Sequence, residues 1–190
     1  MAAVDFKVIK SFFTPDELKV YQAYCYNRVD ENKYSYEELM YHNHKNGKPT
    51  RESANIGPCW YMDSLMNSLL DVKKPIVEKA CGFKLYPTYS YWRYYVFGGR
   101  LKKHIDRPSC EISISACIKK EGKWPLVIDG HSIELEEGEA LLYAGCDHYH
   151  WRPSFYKGEG MAQVFFHYVN QNGPNKDHAY DQIHKRKFRG

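Results

Sequence analysis

The triplet His104-Ile105-Asp106 sets an imidazole and a carboxylate two residues apart. On a β-strand, positions i and i+2 point to one face, so the two donors converge. A third donor completes a set of two histidines and one carboxylate, which binds Fe(II) and leaves positions open for reacting ligands. Three later histidines are candidates: His148, His150 and His167. His150 opens His150-Trp151-Arg152-Pro153, directly before the last expected strand, where a ligand from a neighbouring strand is needed. His167 lies deep in that strand and reads as a packing residue or a support for the ligands. His42 and His44 stand in a polar stretch and read as solvated.

The elements that must position these donors follow from local patterning. Residues 8–13 are apolar and β-prone, an opening strand. Thr14, Pro15 and Glu17 form a helix start: an N-cap, a proline suited to the first turn, and the distal half of a capping box. Phe13 and Leu18 stand where a hydrophobic staple belongs, and the helix is expected to run to about Arg28. Residues 41–61 read as a long loop. Leu65, Met66, Leu69, Leu70, Ile76, Val77 and Ala80 recur at helical spacing, with Pro75 expected to kink or split that helix and Gly82 to end it. Strands are then expected over 84–95, 101–105, 111–118, 126–128, 131–135, 140–143 and 162–169. Helices followed by short strands predict a mainly β sandwich or barrel with helices packed on one side. The parts divide into a helical region over about 14–82, a β core over about 84–170 and a tail over 171–190, all in one domain spanning 1–190. The basic run 184–189 reads as a solvated end.

Composition narrows the classes. Hydrophobic residues are 43% and charged residues 26% of the 190, a globular balance that argues against disorder. The 17 tyrosines help lift the aromatic fraction to 16%, which favours strands and amphipathic pockets. No apolar run approaches the ~18 residues of a membrane span. Nothing in residues 1–12 reads as a secretory signal. The six cysteines form no CxxC pair and read as free thiols, which places the chain in the cytoplasm or another reducing intracellular compartment. A net charge of +4 is a weak attraction for nucleic acid.

The run from Tyr95 through Gly98-Gly99 to His104-Ile105-Asp106 resembles the strand–turn–strand that leads into the metal motif of prolyl 4-hydroxylase-like 2-oxoglutarate/Fe(II) oxygenases. The stretch from Gly138 to His150 with the strand over 162–169 is similar to their second half, and Ile9 to Leu18 is similar to their opening. The resemblance implies a double-stranded β-helix, or jelly roll, with an N-terminal helical layer. It implies Fe(II), 2-oxoglutarate and O2, with ascorbate as a reductant, and His104, Asp106 and His150 as iron ligands. The implied reaction releases succinate and CO2 and hydroxylates an unactivated C–H bond, most simply on a peptidyl or free amino-acid side chain.

One departure stands out. Such oxygenases usually carry a Lys or Arg nine or ten residues after the distal His, to pair the far carboxylate of 2-oxoglutarate, and here those places are Glu159 and Gly160. Arg93 with Tyr95, then Arg152, then Lys119 are the candidate replacements, the first pair because two residues apart on a strand share a face. Tyr86, Tyr89, Tyr91, Trp92, Tyr94 and Tyr95 crowd one strand and read first as a barrel wall. Arg107-Pro108-Ser109, Trp124 and Trp151 are candidates for the mouth. Two other readings stay open: a non-catalytic jelly-roll binding module, and an oxygenase acting on nucleic acid or another small molecule. Oligomeric state and substrate identity are not legible.

Overall fold

A computed structural model describes residues 5–31, 58–96, 98–154 and 160–181. His42, His44, Glu159 and the basic run 184–189 lie outside the described residues. In chain order the elements are β1 (Lys7–Ile9), α1 (Pro15–Glu31), β2 (Cys59–Tyr61), α2 (Ser64–Cys81), β3 (Leu85–Val96), β4 (Leu101–His104), β5 (Ile112–Lys120), β6 (Leu126–Ile128), β7 (His131–Ile133), β8 (Ala140–Ala144), β9 (His150–Arg152) and β10 (Gly160–Asn170). Short 3-10 turns occupy Pro108–Cys110 and Lys176–His178. The strands form two antiparallel sheets, one ordered β1-β8-β5-β10-β3-β2 and the other β4-β9-β6-β7. This is a double-stranded β-helix, a jelly roll with helices on one side.

The period-2 alternation of strand side chains builds the layers. On β5, Ile112, Ile114, Ala116 and Ile118 join the helix-facing core with Phe12, Met66, Leu70 and Trp92, while Cys117 joins Leu126, Ile128 and Leu141 between the sheets. β10 repeats the pattern, with Ala162, Val164 and Phe166 in the helix-facing core. The large sheet is therefore apolar toward the helices and mixed toward the second sheet. That mixed face holds the polar groups needed for chemistry.

Among the described residues, α1 carries its expected N-terminal cap and α2 its expected C-terminal stop. The Thr14 N–H donates to Glu17 Oε2 at 2.8 Å, and the Glu17 N–H donates to Thr14 Oγ1 at 3.3 Å. Glu17 also accepts from the buried Lys73 Nζ at 2.7 Å, which ties α2 to the start of α1. Gly82 adopts φ 83 and its N–H closes on the Glu78 carbonyl at 2.8 Å, the αL stop that glycine permits.

Several expectations needed correction. The opening strand ends at Ile9, because the chain turns at Ser11, with φ 51. α1 continues past Arg28 to Glu31. Pro75 does not split α2, which is continuous; its exposed ring points away from the sheet, and Met66, Leu69, Leu70 and Val77 anchor the helix on both sides of it. The expected loop over 41–61 contains β2 at its end, where Trp60 stacks on Trp92 with ring centroids 3.9 Å apart. Three residues are too few to show a period, so tertiary pairing with β3 decides this strand. β9 is equally short and was not foreseen as a strand.

Candidate active site

β4 and β9 run side by side with His104 opposite His150, so two histidines far apart in sequence meet across one strand pair. Their ring centroids lie 4.3 Å apart. Asp106 stands beyond the end of β4 rather than on it. Its place is set by backbone: its N–H donates to the Gly145 carbonyl at 2.8 Å. Gly145 is needed there, because a Cβ would stand 2.4 Å from Asp106 Oδ2. Donor atoms of His104, Asp106 and His150 all lie within 4.8 Å of one another.

The hydrogen bonds around these rings orient them. His104 Nδ1 lies 2.8 Å from the Lys102 carbonyl and His150 Nδ1 lies 3.0 Å from the His148 carbonyl. A carbonyl only accepts, so Nδ1 carries the proton and Nε2 is left to face inward. Each Nε2 is 3.6 Å from Asp106 Oδ1. Two lone pairs then confront a carboxylate, an arrangement that a cation completes. The nearby Asp106 carboxylate raises the His104 imidazole above its usual range, with burial opposing, whereas burial lowers that of His150. Burial also works to raise the Asp106 carboxyl, but His104, the neighbouring imidazoles and Ser113 outweigh it and hold it below the usual range.

Behind Asp106 is a support not read from the sequence. Ser113 Oγ donates to Asp106 Oδ2 at 2.9 Å and lies 3.0 Å from His167 Nδ1. Burial lowers the His167 imidazole to about 4, so it is neutral and its Nδ1–H can donate to Ser113. Two serines alternating with isoleucines on β5, Ser113 and Ser115, were the available sequence signal. Tyr143 closes the same wall, its ring edge-on to His150 at 4.9 Å.

The three donors open into a cavity of about 670 Å³, within the ~300–1,000 Å³ typical of ligand sites. Tyr89, Tyr91, Arg93 and Tyr95 line it in alternation along β3, while Trp92 points into the helix-facing core and Tyr94 packs against it. The aromatic strand is thus a cavity wall on one face and core on the other. Arg93 donates through Nη2 to the Tyr91 hydroxyl, and its guanidinium lies 5.3 Å and 5.4 Å from the Tyr91 and Tyr95 ring centres. Its Nε is buried with no hydrogen-bond partner among the described residues.

The other candidate cations are elsewhere. Arg152 does not line the cavity; it is 3% exposed, donates to the Trp124 carbonyl and lies over the Trp124 ring. Lys119 pairs with Glu137 at 3.2 Å, outside the cavity. Gly160 faces away from the metal donors, since a Cβ there would strike the Tyr94 side chain at 2.3 Å. Residues 171–181 are not a loose end: Tyr180 N–H bonds the Pro87 carbonyl, and Asp181 pairs with Arg107 at 3.1 Å.

No protein-family model and no curated sequence matches the chain. Solved structures do match its fold. EctD from S. alaskensis, solved with 2-oxoglutarate and 5-hydroxyectoine, aligns with a TM-score of 0.64 at 14% identity over 87% of this chain and 72% of that one. A prolyl-4-hydroxylase from Pseudomonas putida aligns with a TM-score of 0.58 at 15% identity, covering 87% and 94%. A 2OG-Fe(II) oxygenase family oxidoreductase from Burkholderia pseudomallei aligns with a TM-score of 0.59 at 14% identity, covering 91% and 88%.

Proposed function

We propose that this chain, which has the fold of the 2-oxoglutarate/Fe(II) oxygenases, is itself an Fe(II)- and 2-oxoglutarate-dependent dioxygenase that hydroxylates an unactivated C–H bond on an amino-acid side chain, free or peptidyl. The observation that carries the reading is the inward convergence of His104 Nε2, His150 Nε2 and an Asp106 carboxylate in the cavity lining. Support comes also from EctD, which was solved with bound Fe and with 2-oxoglutarate.

His104, Asp106 and His150 hold the metal, and the backbone carbonyls on each Nδ1 keep both rings turned toward it. Bound there, Fe(II) supplies O2 activation coupled to decarboxylation of 2-oxoglutarate to succinate and CO2, and to oxygen insertion into a C–H bond. Arg93 takes the far carboxylate of 2-oxoglutarate, using a buried nitrogen that has no other partner among the described residues, with Tyr91 holding its guanidinium. Leu101, Leu126 and Phe165 give the cavity apolar lining, which favours the exclusion of water.

Anaerobic titration tests this directly. Fe(II) followed by 2-oxoglutarate should produce a visible charge-transfer band and raise Tm, and O2 with ascorbate should release succinate. His104→Ala should lose the band and the metal-dependent rise in Tm. Arg93→Met should keep Fe(II) affinity and weaken 2-oxoglutarate at least tenfold. A wild-type protein that gives neither band nor succinate overturns the reading.

A further inference from the structure

The two carboxylate oxygens of Asp106 have different neighbours. Oδ1 lies 3.6 Å from the Nε2 atoms of His104 and His150, the donor set described above. Oδ2 accepts from Ser113 Oγ at 2.9 Å, and Ser113 Oγ also lies 3.0 Å from His167 Nδ1 and 3.1 Å from the Cys110 carbonyl. On this side stands a second group of ligating side chains. Donor atoms of Asp106, Cys110 and His167 all lie within 4.8 Å of one another, the same span that bounds the first set. With the His167 Nδ1–H donated to Ser113, the lone pair of that ring is on Nε2. Among the described residues no hydrogen bond reaches this Nε2, although His167 is only 6% exposed. Cys110 is 2% exposed, and its sulfur lies 3.0 Å from the Tyr89 hydroxyl. Asp106, His167 and Tyr89 line the cavity, so an ion can reach the group from there.

We infer that Cys110, His167 and Asp106 form a second cation site, selective for a thiophilic divalent ion such as Zn(II), and that this ion and Fe(II) antagonise each other through the carboxylate they share. The site itself stands apart from the oxygenase reading; only its effect on Fe(II) rests on it. A thiolate, an imidazole and a carboxylate are a Zn(II) donor set, with a fourth position left for water or a ligand from the cavity. Thiolate favours the softer ion, whereas two imidazoles and a carboxylate with open positions suit Fe(II). On binding, the Cys110 thiol gives its proton to water, and thiolate and carboxylate together cancel the charge of a divalent ion. The Tyr89 hydroxyl is placed to donate to that thiolate. Asp106 is the donor common to both sets. Two dications there repel each other with a single carboxylate between them, so each weakens the other.

Anaerobic titration of the full chain with Co(II), a spectroscopic stand-in for Zn(II), tests this. His104→Ala removes a donor of the first set alone. That variant should still bind Co(II), with sulfur-to-cobalt charge transfer in the near ultraviolet, and Zn(II) should abolish the band. Cys110→Ser and Cys110→Ala should each lose the charge-transfer band, with native far-UV circular dichroism showing that the fold is kept. His167→Gln, added to His104→Ala, should weaken Co(II) at least tenfold. Zn(II) should displace Fe(II) from the parent at least tenfold more effectively than from Cys110→Ser. The inference is overturned if His104→Ala binds no Co(II) or binds it without a sulfur band. A band that survives loss of Cys110, unchanged affinity in His167→Gln, or equal displacement of Fe(II) from parent and Cys110→Ser overturns it as well. Absence of the Fe(II)–2-oxoglutarate band in the parent defeats the oxygenase reading separately and leaves the Co(II) titration of His104→Ala untouched.

Discussion

At the scale of single residues, this site depends on what is small or silent as much as on its ligands. Gly145 lets the Asp106 carboxylate lie against backbone, with an added Cβ reaching 2.4 Å from Oδ2. Gly145→Ala should therefore abolish Fe(II) binding, measured by anaerobic titration, while far-UV circular dichroism stays native. Ser113 orients the same carboxylate and ties it to a neutral His167. Ser113→Ala should lower Fe(II) affinity by roughly 10–100-fold, the usual cost of losing a group that orients a metal ligand. The HxD spacing was legible because it is local. The serines alternating with isoleucines around Ser113 mark a polar face, but only the pairing of distant strands sets Ser113 beside Asp106 and Tyr143 beside His150.

At the scale of elements, strand register decides which cation serves the cavity. β10 pairs Gln163 with Arg93 of β3, and the residues flanking Gln163 on the opposite face, Ala162 and Val164, belong to the helix-facing core. Position 160 shares that helix-facing parity, so a basic residue there would point away from the metal. Adding Gly160→Lys to Arg93→Met should accordingly fail to restore 2-oxoglutarate affinity and should lower Tm, because the new side chain meets Tyr94. The joint between α2 and β3 has its own signature. Glu78 accepts from Lys84 at 2.8 Å, from the Leu85 N–H at 3.0 Å and from Lys74 at 3.1 Å. Burial works against its charge, but these bonds win and lower the carboxyl from 4.5 to about 2. A depressed folded-state value stabilises the fold fully above the unfolded value and loses that contribution as pH falls, here between about 4.5 and 2. Glu78→Gln should lower Tm at pH 6 and show a smaller further drop between pH 5 and pH 3 than the parent.

At the scale of the whole molecule, the large sheet separates stability from chemistry. Phe166 is fully buried against the helices, and its neighbour Phe165 lines the cavity. Phe166→Ala should cost about 3–5 kcal/mol, read as a Tm drop of roughly 10 °C, with Fe(II) stoichiometry unchanged below the transition. Phe165→Ala should move Tm less and weaken 2-oxoglutarate more. One β-strand thus carries two adjacent phenylalanines with different tasks, assigned by the face each one presents.

The sequence by itself determined both helices with a cap on each, most of the strands in their order though not β2 or β9, the HxD pair, and His150 as the favoured histidine to join it. These rest on local rules: a capping box, a period of two, a ligand placed just before a strand. Tertiary structure alone decided the rest. Strand pairing across β4 and β9 brings His150 to His104, although β9 is too short to show any period. Register between β3 and β10 sets Arg93 on the cavity face, while the pairing of β9 with β4 and β6 leaves Arg152 buried against Trp124. The return of the chain to Asp181 sets a carboxylate behind Arg107, 74 residues away. Side-chain parity depends on the pairing of distant strands, and no window of sequence contains both partners.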